Sequence, residues 1–149
     1  ARGIAAERLV FAQRASLPDH LARHRLADLF LDNIPVNAHT TASDALWAGL
    51  PVLTILGDTF VGRVAASLLH AVGLPELIAE SPEAYEQMAV DLATDPSRLA
   101  ALKARLAANR PTAPLFDTKR FTRHIEAAYT AMYRRHQAGL APDHIDVPA

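Results

Sequence analysis

The sequence predicts an α/β fold, a doubly wound parallel sheet flanked by helices. Three observations carry this expectation. Short apolar runs alternate with longer stretches of helical periodicity, and Gly, Pro or Asp punctuates the junctions between them. The run Pro51-Val52-Leu53-Thr54-Ile55-Leu56 is also almost wholly apolar on both faces. A strand buried on both faces belongs in the middle of a parallel sheet, and alternation of strand and helix is how such a sheet is wound.

Taken in order, Arg8-Leu9-Val10-Phe11-Ala12 predicts a first strand over 8–12, by its β-forming apolar run. Ser16 suits the cap of a helix over 17–25, with Pro18 and Asp19 in its first turn and Leu17, Leu21 and Leu26 along one side. Ala27 to Leu31 predicts the next strand, and the breaker-rich Asn33 to Ala38 a loop. A helix over 41–48 follows, closed by Gly49, and then the strand over 51–56. Val61, Val64, Ala65, Leu68 and Val72 keep helical spacing up to Gly73, so a helix is predicted over 60–72, with a short strand over 76–79 beyond it. Pro82 and Pro96 each open a helix, and Phe121, Ile125, Ala128 and Met132 mark a last one over 118–137. The whole is a Rossmann-like layout in one unit, with an α/β core over about 1–116 and a helix and tail over about 117–149.

Composition narrows the function. Half of the 149 residues are hydrophobic and 21% are charged, which fits one folded domain and excludes a disordered tail. The net charge of -1 hides three blocks: +3 over residues 1–25, -9 over 26–97 and +5 over 98–149. No general basic field exists to hold a nucleic-acid backbone. There is no cysteine, which excludes disulfides, thiolate metal sites and a cysteine nucleophile and suits a reducing compartment. No apolar stretch approaches the ~20 residues of a membrane-crossing helix, so a cytoplasmic protein is expected. The chain opens on Ala1, which suggests a piece cut from a longer protein.

In an open α/β sheet, ligands bind where strand ends feed helix N-termini. Gln13 to His20, Asn33 to Asp44 and Gly57 to Arg63 are three such junctions. The second ends in His39-Thr40-Thr41 at a helix start, where free N–H groups and hydroxyls could hold a diphosphate. Asp44, three residues beyond Thr41, could accept from ribose hydroxyls. The same Thr41-Ala42-Ser43-Asp44 also resembles a capping box, and spacing leaves both readings open.

His20 and His24 share a helix face, but neighbouring Arg23 and Arg25 disfavour a metal, and the pair reads either as solvent-facing or as rings available to stack on a base. Trp47 reads as core, and Arg63 as the partner of Asp58 or Asp44 in an ion pair. Gly57 and Gly62 are too few for a glycine-rich phosphate loop.

The run His39-Thr40-Thr41-Ala42-Ser43-Asp44-Ala45-Leu46-Trp47-Ala48-Gly49-Leu50-Pro51-Val52 strongly resembles O-linked N-acetylglucosamine transferases, most closely the bacterial ones. Gly57-Asp58-Thr59, Arg63-Val64-Ala65-Ala66-Ser67 and Pro114-Leu115-Phe116-Asp117-Thr118-Lys119 extend the resemblance over nearly the whole chain. It implies the C-terminal, donor-binding half of a GT-B glycosyltransferase. Such an enzyme transfers N-acetylglucosamine from UDP-GlcNAc to Ser or Thr hydroxyls, with inversion and without a metal or other cofactor.

Carried over by position, the resemblance implies that Ala15 meets the uracil through its backbone, His20 stacks near the uridine and Arg23 helps hold the base. His39, Thr40 and Thr41 would contact the diphosphate and sugar, and Asp44 the ribose. Leu17 stands where animal relatives have a lysine. The implied partners are UDP-GlcNAc or UDP, an N-terminal catalytic lobe of the same protein and a protein or peptide acceptor, with neither nucleic acid nor membrane. A phosphate-holding lysine, the opposite lobe's groups and the tetratricopeptide repeats of the family are not among these residues, so the chain alone is expected to be inactive. Two other readings stand beside this one: a non-catalytic interaction module with a vestigial nucleotide cleft, and a GT-B enzyme using another nucleotide sugar.

Overall fold

A computed structural model describes residues 3–147, so the expected cut at Ala1 lies outside the described residues. Three parallel strands, β1 (Phe30–Leu31), β2 (Val52–Ile55) and β3 (Ile78–Ala79), lie side by side in chain order. Six α-helices accompany them: α1 (Leu17–Arg23), α2 (Thr40–Ala48), α3 (Val64–Ala71), α4 (Pro82–Thr94), α5 (Pro96–Asn109) and α6 (Thr118–Gln137). α2 and α3 pack on β2, and α4 packs on β2 and β3. This is the parallel, Rossmann-like α/β arrangement that the alternation predicts.

The order of the strands follows from burial. All four residues of β2 are buried, so it takes the centre, and its neighbours complete its hydrogen bonding on both sides. Around Val52 close Leu46 of α2, Leu69 of α3, Leu92 of α4 and Leu106 of α5, each almost fully buried. Gly49 ends α2 at φ 90°, a left-handed conformation that a side chain would strain, and the chain then turns directly into β2. Polar side chains start the other long helices: Ser81 accepts from Ala84 N–H at α4, Asp95 from Arg98 N–H at α5 and Asp117 from Arg120 N–H at α6.

Two expectations fail. No strand forms over 8–12. A single 3₁₀ turn, Ala6–Arg8, leads into extended chain in which Val10 and Phe11 are 88% and 84% exposed. β-forming side chains make a strand only where a neighbour completes the ladder, and among the described residues this run pairs with none.

Trp47 is the second, for it is 52% exposed rather than core. Its ring meets Phe116 edge-on with centroids 5.1 Å apart, and the Arg110 guanidinium lies 5.6 Å over it while donating to the Trp47 carbonyl. The helix turns its Ala42, Ala45 and Leu46 side inward, and Trp47, one residue on, falls on the flank.

These environments predict unequal costs for adjacent substitutions. Leu46→Ala should destabilise by about 2–5 kcal/mol by opening a cavity in the core. Trp47→Ala should cost about 1 kcal/mol, since it loses a surface aromatic and cation contact. Urea denaturation of both variants checks the ordering.

Candidate functional site

The site lies at the carboxyl ends of β1 and β2, where two loops and two helix starts meet. Its foundation is Asp32, which follows β1 directly and is only 7% exposed. Strand register sets Leu31 against Leu53, so the next step brings Asp32 beside Thr54. Thr54, fully buried, donates its hydroxyl to Asp32 Oδ2 at 2.6 Å. Asp32 Oδ1 accepts from the N–H of Asn33 at 2.8 Å and of Ala38 at 2.7 Å. From α4, the Tyr85 hydroxyl donates to the Asp32 carbonyl at 3.0 Å. Burial, and secondarily the charge of Asp32, raises the Tyr85 pKa above its ordinary value of 10.0.

The loop so held delivers the start of α2. Its N-cap residue is His39, whose side chain makes no capping bond. The first intrahelical bond runs from Ser43 N–H to the His39 carbonyl, and the N–H groups of Thr40 and Thr41 have no acceptor among the described residues. The capping-box reading is thereby overturned. The helix begins one residue before Thr41, so Thr41 lies inside its first turn and its hydroxyl caps nothing. Asp44, half-buried on the same helix, makes no hydrogen bond or ion pair among the described residues.

The loop after β2 closes on this start. The Asn37 N–H donates to the Val61 carbonyl at 2.9 Å, and the His39 ring stands edge-on to Phe60 with centroids 6.2 Å apart. Gly57 N–H donates to the Gly62 carbonyl, and a Cβ on Gly57 would come within 3.0 Å of that oxygen. These glycines permit close approach of backbone to backbone. Arg63 does not pair with Asp58 or Asp44 as expected. It donates to the Gly57 carbonyl at 3.2 Å, bracing the loop from which it comes.

α1 packs against α2 and brings up the remaining predicted residues. Ser16 caps it, accepting from Asp19 N–H and donating to the Asp19 carboxylate. Arg23 donates one guanidinium nitrogen to the Gln13 carbonyl at 2.7 Å and another to His20 Nδ1 at 2.6 Å. A guanidinium only donates, so His20 Nδ1 accepts and its ring proton sits on Nε2. His24 in turn donates Nδ1–H to the His20 carbonyl, its ring edge-on to that of His20 at 4.8 Å. Arg23 thereby ties the exposed stretch that carries Ala15 to the helix that carries His20. Leu17, in the first turn, is exposed. Among the described residues no three His, Asp or Glu side chains converge as a metal set would require.

Asp32, Thr54 and Tyr85 belong to no motif that marks them as functional in the sequence. The available signal was an acid at the end of one apolar strand and a lone hydroxyl inside the next.

Fold and site together define a Rossmann-like lobe that presents an uncapped helix N-terminus beside a helix bearing His and Arg. The chain belongs to glycosyl transferase family 41, whose model matches residues 1–125. It is 40% identical over 148 residues to a probable UDP-N-acetylglucosamine–peptide N-acetylglucosaminyltransferase of Arabidopsis thaliana, covering 99% of this chain and 15% of that protein. A Caenorhabditis elegans enzyme named for the same activity is 38% identical over 144 residues, covering 97% of this chain and 12% of its own length. The chain therefore spans about one seventh or less of these relatives. A solved structure of a lysine-to-methionine variant of Thermobaculum terrenum O-GlcNAc transferase matches with TM-score 0.84 at 37% identity, covering 89% of this chain and 26% of that one.

The Tyr85 hydroxyl supplies a pH prediction. Its pKa is raised on folding, so its stabilising contribution is complete below the ordinary value of 10.0 and is lost as pH rises through the folded value. Stability should fall in that alkaline window, and the fall should be shallower in Tyr85→Phe, as urea midpoints measured across the range will report.

Proposed function

We propose that this chain is the donor-binding lobe of a transferase that moves N-acetylglucosamine from UDP-N-acetylglucosamine to Ser or Thr hydroxyls of a protein or peptide. The reaction is taken to invert the anomeric centre and to need no metal. The observation that carries the proposal is the start of α2, where the unpaired N–H groups of Thr40 and Thr41 face out of a loop built at the strand ends. The names of the relatives supply the identity of the donor and acceptor.

In the reaction the acceptor hydroxyl oxygen bonds to the anomeric carbon and releases its proton to solvent, the bond from that carbon to the β-phosphate oxygen breaks, and the electron pair leaves on UDP. Negative charge grows on the diphosphate as it leaves. Preorganised N–H groups at a helix N-terminus, with the hydroxyls of Thr40 and Thr41, stabilise that charge without reorganising. His39, the N-cap residue of the same turn, is assigned with them to the diphosphate and sugar. Asp44 has carboxylate oxygens free for the ribose hydroxyls. Ala15 offers its backbone to the uracil and His20 its ring face, while Arg23 acts on the base by holding both in place.

The remaining active-site groups belong to a second lobe of the same protein. Support comes from the exposed apolar side chains of this one, Val10, Phe11, Leu26 and Leu31 in the first part of the chain and Phe121, Tyr129 and Tyr133 on α6. Among the described residues no helix is long and apolar enough to cross a membrane. A cytoplasmic setting is proposed from the cysteine-free composition.

Calorimetric titration with UDP tests the site. Binding should be measurable, and His20→Ala and Asp44→Ala should each weaken it by about tenfold, the loss of roughly 1.4 kcal/mol. Unchanged affinity in both variants would sink the assignment. Thr41→Ala separates the two roles once open for that residue. It should weaken UDP binding while shifting stability by less than about 0.5 kcal/mol, as expected of a side chain that caps nothing.

A further inference from the structure

We infer that Asp32 is a positioning residue for the donor diphosphate, acting through the turn it holds at the start of α2. The inference rests on the donor-site reading above and adds to it a residue that touches no substrate.

The geometry favours this over a purely structural role. A carboxylate taken out of water is costly unless its oxygens are satisfied, and Asp32 spends both of them locally. Oδ2 is fixed to the centre of the sheet through Thr54. Oδ1 reaches six residues along the chain to Ala38 N–H, one residue before the N-cap His39. The carboxylate therefore spans the distance between the rigid sheet and the helix start whose N–H groups are free.

The turn itself is not built for stability. Asn37, 4% exposed, donates its Nδ2 to the Asn33 carbonyl, yet its Oδ1 is buried with no hydrogen-bond partner. A buried acceptor left unpaired costs stability, and a turn that keeps one is held in shape by its surroundings. Here the surroundings are Asp32 on one side and the Val61 carbonyl on the other. Without the carboxylate, the N–H groups of Asn33 and Ala38 and the Thr54 hydroxyl would all lose their partner, and the turn would relax to find others.

The test compares Asp32→Ala, Asp32→Asn and Thr54→Val with the unmutated protein, reading UDP affinity by calorimetry and amide hydrogen exchange over Ala38 to Thr41. Asp32→Asn keeps one oxygen for the two N–H groups, and its amide can donate to the Thr54 hydroxyl. It should bind UDP within about threefold of the unmutated protein, whereas Asp32→Ala should bind about tenfold more weakly per folded molecule. Exchange at those amides should quicken in Asp32→Ala and Thr54→Val, and not in Asp32→Asn.

Asn109→Ala is the control for general destabilisation. Its Nδ2 donates to the Val72 carbonyl, far along the chain from the turn. It should lower the melting temperature and leave UDP affinity unchanged. Should Asp32→Ala not fold, Thr54→Val decides.

A folded Asp32→Ala, or in its place Thr54→Val, with unaltered affinity and exchange would overturn the inference. So would an equal loss of affinity in Asn109→Ala. Failure of the unmutated protein to bind UDP would instead overturn the donor-site reading and this inference with it. The exchange rates would still show whether Asp32 holds the turn.

Discussion

The bond from the Thr54 hydroxyl to the Asp32 carboxylate is the interaction on which the functional end of the molecule depends. It joins β1 to β2 at the step after their last paired residues, where the ladder ends and the loops begin. Beyond it the chain that leaves β1 has no strand partner. Order must then come from side chains, and one carboxylate with three donors provides it. Being charged, the acceptor makes each of these bonds stronger than a neutral one would be, and being buried, it escapes competition from water.

The sheet can be small because so much is attached to its central strand. β1 and β3 have two residues each, too few to persist as isolated strands. β2 is buried along its length, its Val52 in one cluster with leucines of four helices, and the short strands persist as additions to it. Helix starts differ as well: those of α4, α5 and α6 are closed by Ser81, Asp95 and Asp117, while the start of α2 is left open. Capping there would gain stability and occupy the N–H groups that an anion requires. The fold forgoes that gain at α2 and holds the turn through Asp32.

What could be read from the sequence was what neighbours along the chain decide. The proline-opened helices at Pro82 and Pro96, the cap at Ser16, the stop at Gly49 and the whole of the last helix all depend on a few consecutive residues. The readings that failed depend on something distant. Leu9-Val10-Phe11 has the side chains of a strand but no ladder to join. Trp47 has the composition of a core residue, and only the rotation of α2 decides which side meets β2. The Thr41–Asp44 spacing fitted a capping box, and a helix start earlier by one residue removed it. Asp32 and Thr54 lie 22 residues apart, and only strand register makes them neighbours. His20 and Arg23 were legible as a pair by helical spacing, but the bond from Arg23 to the Gln13 carbonyl, which makes that pair a brace for Ala15, was not.

An open helix start proposed to hold an anion, inside the most acidic block of the sequence, looks contradictory by net charge. It ceases to be so once the acids are located. Glu83, Glu86 and Asp91 lie on α4 and Asp95 at the start of α5, none of them on the loop that feeds α2, and Asp58, in the loop after β2, is exposed. Exposed charges are screened over about 8–10 Å at physiological salt, so their sum matters little at the loop. Asp32 is close, but its charge is already met by three donors. Asp44 is the remaining acid of α2, four residues past Thr40 and thus about 6 Å along the helix axis. That offset separates two chemistries on one helix. Its first N–H groups suit a diphosphate, and a carboxylate one turn further on suits neutral hydroxyls, which donate to it as a phosphate cannot. Charge placed at intervals of a turn, rather than summed over a block, decides what this surface can hold.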